Sequence, residues 1–223
     1  MIMKSLFKTS FAVCVMAFIA GCASLQKPYD YTAFKQNQPK SILVLPPLNN
    51  STDVRGTYSF LSAVTYPLAE SGYYVFPVAL VDQTFKENGL TQPADMHQAS
   101  PKKLVEIFGA DAALYITVEK YGAVYTVINS AVVVTAKANL VDLKTGVTLW
   151  SGTGSASSEE ANNNQNSGGL LGVLIAGIIK QALNSSGDKG KDISVLASQR
   201  LLGARPQGIL YGPRSPKFGK DAP

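Results

Sequence analysis

From Ser130 to Ser157 the chain reads SAVVVTAKANLVDLKTGVTLWSGTGSAS, and this stretch constrains the fold more than any other. Val132, Val134, Ala136, Ala138 and Leu140 fall on one face of a period-two pattern, and Val133, Thr135, Lys137 and Asn139 fall on the other. One face is dry and built largely from small residues; the other is mixed. Lys144-Thr145-Gly146 supplies the turn, with Gly146 free to take positive φ, and the strand pattern resumes through Trp150. Two such strands form an antiparallel hairpin.

The remaining segments supply partners for that hairpin. Ile42 to Leu45 is a short run rich in branched residues, stopped by Pro46-Pro47, and predicts a buried strand. YYVFPV from Tyr73 and AALYITVEKY from Ala112 predict two more. Between them the pattern predicts a helix over Tyr58–Glu70, kinked or shortened by Pro67, and another over 79–89. Ser100-Pro101 is a sharper signal: serine as N-cap, proline at the first helical position, and Gly109 as the stop after Phe108. A last helix spans Ile193 to Leu202. The expectation is an α/β fold: a single domain over residues 41–203 in two or three layers. Its mixed β-sheet has about five strands with an antiparallel C-terminal hairpin, packed by helices. Flexible loops are expected near 159–169 and 184–192, and an extended Pro/Gly-rich tail over 204–223, with Ile209, Leu210 and Tyr211 as its one apolar point.

Residues 166–183, NSGGLLGVLIAGIIKQAL, hold about ten consecutive apolar or glycine positions closed by Lys180-Gln181. As a helix that run is about 15 Å long, half a bilayer core, so it does not span. Leu171, Leu174, Ile175 and Ile178 share its apolar side. Two readings stay open: a core helix lying against Ala136 and Ala138, or a helix that contacts a partner. These four residues and Tyr211 are the candidate partner contacts.

The N-terminus carries a different signal. Lys4 and Lys8 precede an apolar run of about ten residues from Phe11, followed by Ile19-Ala20-Gly21-Cys22. This layout resembles the signal peptide and lipobox of bacterial lipoproteins. The resemblance implies cleavage between Gly21 and Cys22, removal of residues 1–21, and a diacylglycerol thioether with an N-acyl chain on Cys22. Several acyl chains anchor a protein stably. No other cofactor and no metal is expected. Without Lys4 and Lys8 the formal charge falls from +5 to +3. Cys14 leaves too, so Cys22 stays as the one cysteine and no internal disulfide can form. Ala23 stands where an aspartate holds such proteins in the inner membrane, which implies the outer membrane; the residue does not fix which face, and the periplasmic face is expected over the cell surface. Residues 22–40, polar and with Pro28 and Pro39, read as a lipidated tether.

KSILVLPPLNNSTDV and NLVDLKTGVTLWSGTGSAS resemble the first strand and late hairpin of periplasmic lipoprotein domains. Among these are the curli-secretion lipoprotein CsgG, the lipoprotein activators of peptidoglycan synthases and the amino-terminal domain of TolB. The whole chain is similar to a family of proteobacterial outer-membrane lipoproteins often encoded beside a CsgG-like lipoprotein. The resemblance implies a fold and a location, and it implies no chemistry.

The residues themselves argue against catalysis. His97, the only histidine, sits in the polar stretch ADMHQAS and reads as a solvated loop residue, and one histidine excludes a histidine triad or a multi-histidine metal site. Glu159-Glu160 is the one adjacent acidic pair, in a linker-like stretch. GTGSAS, Gly152 to Ser157, lacks the third glycine and the lysine of a phosphate loop and reads as the end of a strand. Basic residues form no dense stripe, so nucleic acid is not an expected partner. The expectation is a non-enzymatic interaction or assembly factor in a cell-envelope complex, with the membrane and an envelope protein, a CsgG-like one among the candidates, as partners. A sheet edge and the 170–179 run offer surfaces for a homo-oligomer. The alternatives are a peptidoglycan-synthase activator and a carrier of a small apolar ligand.

Overall fold

The structure is a computed structural model that describes residues 29–125, 130–160, 177, 187–203 and 206–220. Its elements are α1 (Thr32–Asn37), β1 (Ser41–Val44), β2 (Leu48–Asn49), α2 (Gly56–Glu70), β3 (Tyr74–Val75) and α3 (Val78–Glu87). They continue as α4 (Pro93–His97), α5 (Pro101–Phe108), β4 (Ala112–Tyr125), β5 (Ser130–Asp142), β6 (Thr148–Ser157) and α6 (Lys189–Gly203). One mixed six-stranded sheet runs in the order β3-β1-β4-β5-β6, with β2 also on β4. β1 is parallel to β3 and β4, while β4–β5 and β5–β6 are antiparallel. The expected single α/β domain with a mixed sheet is therefore what the chain forms, with one strand more.

The extra strand comes from Pro46-Pro47. The two prolines interrupt the ladder because neither can donate to it. Leu48 and Asn49 then rejoin β4 opposite Thr117 and Val118.

The alternation in β5 is observed as read: Val134, Ala136, Ala138 and Leu140 are buried, while Lys137 and Asn139 are exposed. In β4 the buried face runs through Ala112, Leu114, Ile116 and Val118 and then changes phase. A bulge between Val118 and Lys120 inserts one residue, so Tyr121 points into the core where straight alternation would put residue 120 or 122.

Helices cover both faces. On one, α2 and α6 bury Phe60, Val64, Leu68, Ile193, Leu196 and Leu201 against β1, β4, β5 and β6. On the other, α3, α4 and α5 bury Val81, Phe85, Met96 and Leu104 against Leu43, Leu45 and Ala113. Among the described residues that second layer stops at β4, and no described helix covers the outward side of β4–β6.

Small residues set how closely α6 approaches. An added Cβ at Gly154 would lie 2.5 Å from the Ala197 carbonyl and 2.6 Å from the Leu201 backbone nitrogen. GTGSAS is thus part of β6, and Gly154 faces a helix, not a phosphate. The helix over this small-residue face is α6. Of residues 166–183 only Gly177 is described, exposed and helical, so Leu171, Leu174, Ile175 and Ile178 lie outside the described residues.

Pro67 sits inside α2 without ending it. A proline there leaves the carbonyl four residues earlier without its N–H donor. Ser198 of α6 fills the vacancy: its buried hydroxyl donates to the Ala63 carbonyl at 3.1 Å. The helix-breaking residue has become a cross-tie between two helices.

Three expected boundaries move. The tether was read over 22–40, but residues 32–37 form α1, and Tyr31 and Phe34 are buried in the main core. The tail was read as extended surface, but Ile209 is fully buried and Leu210 nearly so. Tail and N-terminal segment hold each other: the Tyr31 hydroxyl reaches the carbonyls of Pro206 and Gly208, and the Trp150 indole donates to Gln207 at 2.8 Å. Gly212 and Arg214 continue the docking with backbone bonds to Ser71 and Gly72. Both segments look polar and Pro-rich locally, yet each places aromatic or aliphatic side chains where the sheet and α2 leave the core open. The loop near 184–192 also ends early, because Asp188 accepts the Gly190 amide at 3.0 Å and starts α6 at Lys189.

Candidate functional site

Three places on the surface combine exposure with shaped chemistry. The first is the side of β4–β6 away from α2 and α6. Here the junction of α4 and α5 overhangs the sheet and encloses a cleft of about 720 Å³ lined by His97, Ser100, Tyr115, Thr117, Lys137, Asn139 and Ser151, among others. His97 was read as a solvated loop residue, and the structure corrects this. It ends α4, its Nε2–H meets the Pro46 carbonyl at 2.9 Å, and its ring stands edge-on to Tyr115 at 5.3 Å. Burial pushes its pKa below the usual histidine value, with the Pro46 bond opposing, so the neutral ring is favoured at neutral pH. Tyr115 is pushed up by the same burial. Lys137 is paired with Glu119 at 3.2 Å, and that pairing, aided by Asn50, holds the Glu119 carboxyl low. A neutral histidine pinned by a backbone carbonyl, beside a tyrosine held protonated, makes no nucleophile–base pair. Among the described residues no group of three or more His, Cys, Asp or Glu could hold a metal.

The second place is the end of the β4–β5 hairpin. β4 and β5 stay paired from Ala123–Val132 out to Tyr125–Ser130, past the last ladder partners of β2 and β6. Val124 is 45% exposed and Tyr125 81%. A polar network holds the base of this extension to the helices. The Tyr121 hydroxyl donates to Asp188 at 2.5 Å and lies 2.9 Å from the Ser59 hydroxyl. Arg55 in turn bridges Asp53 at 2.5 Å and Asp188 at 3.5 Å. Burial, then the bond to Asp188, raises the Tyr121 pKa. The bulge made this network possible by turning Tyr121 inward, and nothing in the local sequence announces it.

The third place contains Tyr211. A slot of about 330 Å³ opens between α1 and the tail, walled by Phe34, Tyr73, Leu210, Tyr211 and Phe218. Tyr211 is half-buried, with the Lys217 ammonium 5.3 Å from its ring centre. It forms one wall of this slot. Gly21 and Cys22 lie outside the described residues, as do the four apolar candidates of the 166–183 stretch. Glu160 was read as part of a linker; it is fixed instead, paired with Arg200 of α6 and accepting the Ser157 amide at 2.9 Å. Arg200 holds its carboxyl below the usual range.

Comparison with known proteins places this architecture. The chain is 50% identical over 198 residues to the lipoprotein NMB1124/NMB1162 of Neisseria meningitidis serogroup B, a match that covers 88% of this chain and 91% of that one. The crystal structure of lipoprotein GNA1162 from Neisseria meningitidis is 52% identical and aligns with a TM-score of 0.51 over 66% of this chain and 100% of that one. A PelC dodecamer from Paraburkholderia phytofirmans aligns at 20% identity with a TM-score of 0.39, over 54% of this chain and 73% of that one. Residues 29–214 match the family model, and the chain belongs to the GNA1162-like lipoprotein family.

Proposed function

We propose that this lipoprotein works by docking and not by catalysis, held to the outer membrane through acylated Cys22 and presenting the end of its β4–β5 hairpin to an envelope protein. The exposed apolar pair Val124 and Tyr125, far from the point where the chain leaves the domain, carries this reading. Tyr29, the first described residue, accepts the Ser151 amide at 2.7 Å, and Ser151 lies opposite Asn139, itself opposite Tyr115. From Tyr115 to Tyr125 the strand rises about 30 Å. Cys22 lies seven residues before Tyr29 and can stand at most about 25 Å away. The Tyr29 hydroxyl and Tyr125 therefore lie near opposite ends of the sheet, and a tether of this length is shorter than the distance between them. Exposed tyrosine and branched side chains on a braced hairpin suit a protein contact.

The partner that the sequence resemblance favours is a CsgG-like lipoprotein. A photoreactive residue at position 125, introduced into the full chain in intact cells, tests the idea. The expected result is one dominant crosslinked envelope protein, lost on Tyr125→Asp with the fold intact by circular dichroism. No protein crosslink from position 125 would overturn it. Membrane fractionation of Cys22→Ser tests the anchor separately: the expected result is release of the chain from the membrane fraction.

A further inference from the structure

The slot between α1 and the tail has no role in this docking reading, and its chemistry is specific. Its walls are largely aromatic and aliphatic, and none of its described lining residues is acidic. Lys35 lines it and is exposed, and Lys217 sits over Tyr211 on another wall. Gln38, at φ 41°, closes α1 as a left-handed C-cap, its amide on the Phe34 carbonyl at 2.9 Å, and its side of the helix end forms the rim of the slot.

Position adds a second constraint. Tyr29 packs on Tyr31 at 4.7 Å and Tyr31 on Phe34 at 6.4 Å, so the slot lies two ring contacts from the residue that leads to Cys22. We propose that this slot takes the alkyl chain of an anionic single-chain lipid of the anchoring membrane, with Lys35 and Lys217 on its phosphate. The apolar walls accept the chain, the two ammonium groups select a negative head, and the short link to Cys22 keeps the slot near the lipid source. The choice of source rests on the Cys22 anchor proposed above, whereas the selectivity for an alkyl chain with an anionic head rests on the slot alone.

Phe218 is 42% exposed, so Phe218→Trp puts a fluorescent reporter on the wall without emptying the core. Trp150, the one native tryptophan, is fully buried and serves as the internal reference. The mature lipidated chain in nonionic detergent would be titrated with brominated lysophosphatidylglycerol, brominated lysophosphatidylcholine and a brominated fatty acid. The expected result is several-fold stronger quenching at position 218 by lysophosphatidylglycerol than by lysophosphatidylcholine. That difference should vanish in Lys35→Glu/Lys217→Glu. A Val147→Trp reporter, of similar exposure in the β5–β6 turn, should show no such preference. Equal quenching by the two lysolipids, or equal quenching at positions 218 and 147, would overturn the proposal. Quenching by the fatty acid alone would overturn the membrane-lipid source. Release of Cys22→Ser from membranes reads the anchor independently, so a missing anchor and a missing ligand give different results.

Discussion

Replacing Ser198 with alanine should destabilise this protein chiefly because Pro67 is present. The Ser198 hydroxyl is buried, and it donates to the Ala63 carbonyl that Pro67 leaves without a helical donor. Its removal strands a buried acceptor, which costs about 1–3 kcal/mol. The lower half of that range applies, because the hydroxyl also lies 2.8 Å from the Val195 carbonyl and its single proton is shared. For a domain of this size about 1.5 kcal/mol lowers Tm by roughly 3–6 °C. Pro67→Ala restores an N–H at position 67, which can bond Ala63 directly. In that background Ser198→Ala should cost well under half as much. The assay is a double-mutant cycle by thermal and urea unfolding, with a coupling energy of about 1 kcal/mol expected. Additive effects of the two substitutions would refute the cross-tie.

Other substitutions test other parts of the argument. Gly154→Ala should push α6 off the sheet and cost about 1–3 kcal/mol by calorimetry, whereas Gly203→Ala, whose added Cβ meets nothing within 4 Å, should be neutral or stabilising. Ile209→Ala should cost about 2–4 kcal/mol in urea unfolding if the tail completes the core, and almost nothing if the tail is loose. The Glu160 carboxyl is depressed by Arg200, so its contribution is fully present above the unfolded carboxylate value near pH 4.3 and disappears as pH falls through the lower folded value. Wild type should therefore lose more stability than Glu160→Gln between about pH 5 and pH 3, measured as Tm against pH. Parallel curves would sink that assignment.

What could be read from the sequence was whatever a local pattern determines. The β5–β6 hairpin follows from period-two alternation and a turn: Asp142 Oδ1 accepts the Lys144 and Thr145 amides, and Gly146 takes φ 73°. α5 follows from its caps, since Ser100 accepts from Lys103 and Gly109 is left-handed. Single side chains with long-range partners could not be read. A two-residue strand after Pro46-Pro47 has no period of its own. The bulge at Glu119 is invisible because Glu-Lys-Tyr continues an acceptable strand in either phase. α1 and the tail look like polar Pro-rich linkers, and they are ordered by Tyr31, Phe34, Ile209 and Leu210 filling a gap made elsewhere. His97 was misplaced for the same reason: its partners, Pro46 and Tyr115, are distant in sequence. Of the candidate contacts, Tyr211 is the one described, half-buried on the wall of the slot beside α1.

The clasp between Tyr31 and the carbonyls at 206 and 208 also has a consequence in time. Synthesis delivers the N-terminal half of that clasp near the start and the other half near the end. A nascent chain that has emerged through α6 still lacks Gln207 for the Trp150 indole and Ile209 for the core, so it keeps an open seam along β6 and α2. Contacts between residues this far apart in sequence close late, after their loop entropy has been overcome. Closure of the core thus waits for residues 206–210. A protein that must pass through a translocation channel unfolded, as the proposed export requires, gains from a core that stays open until that segment arrives.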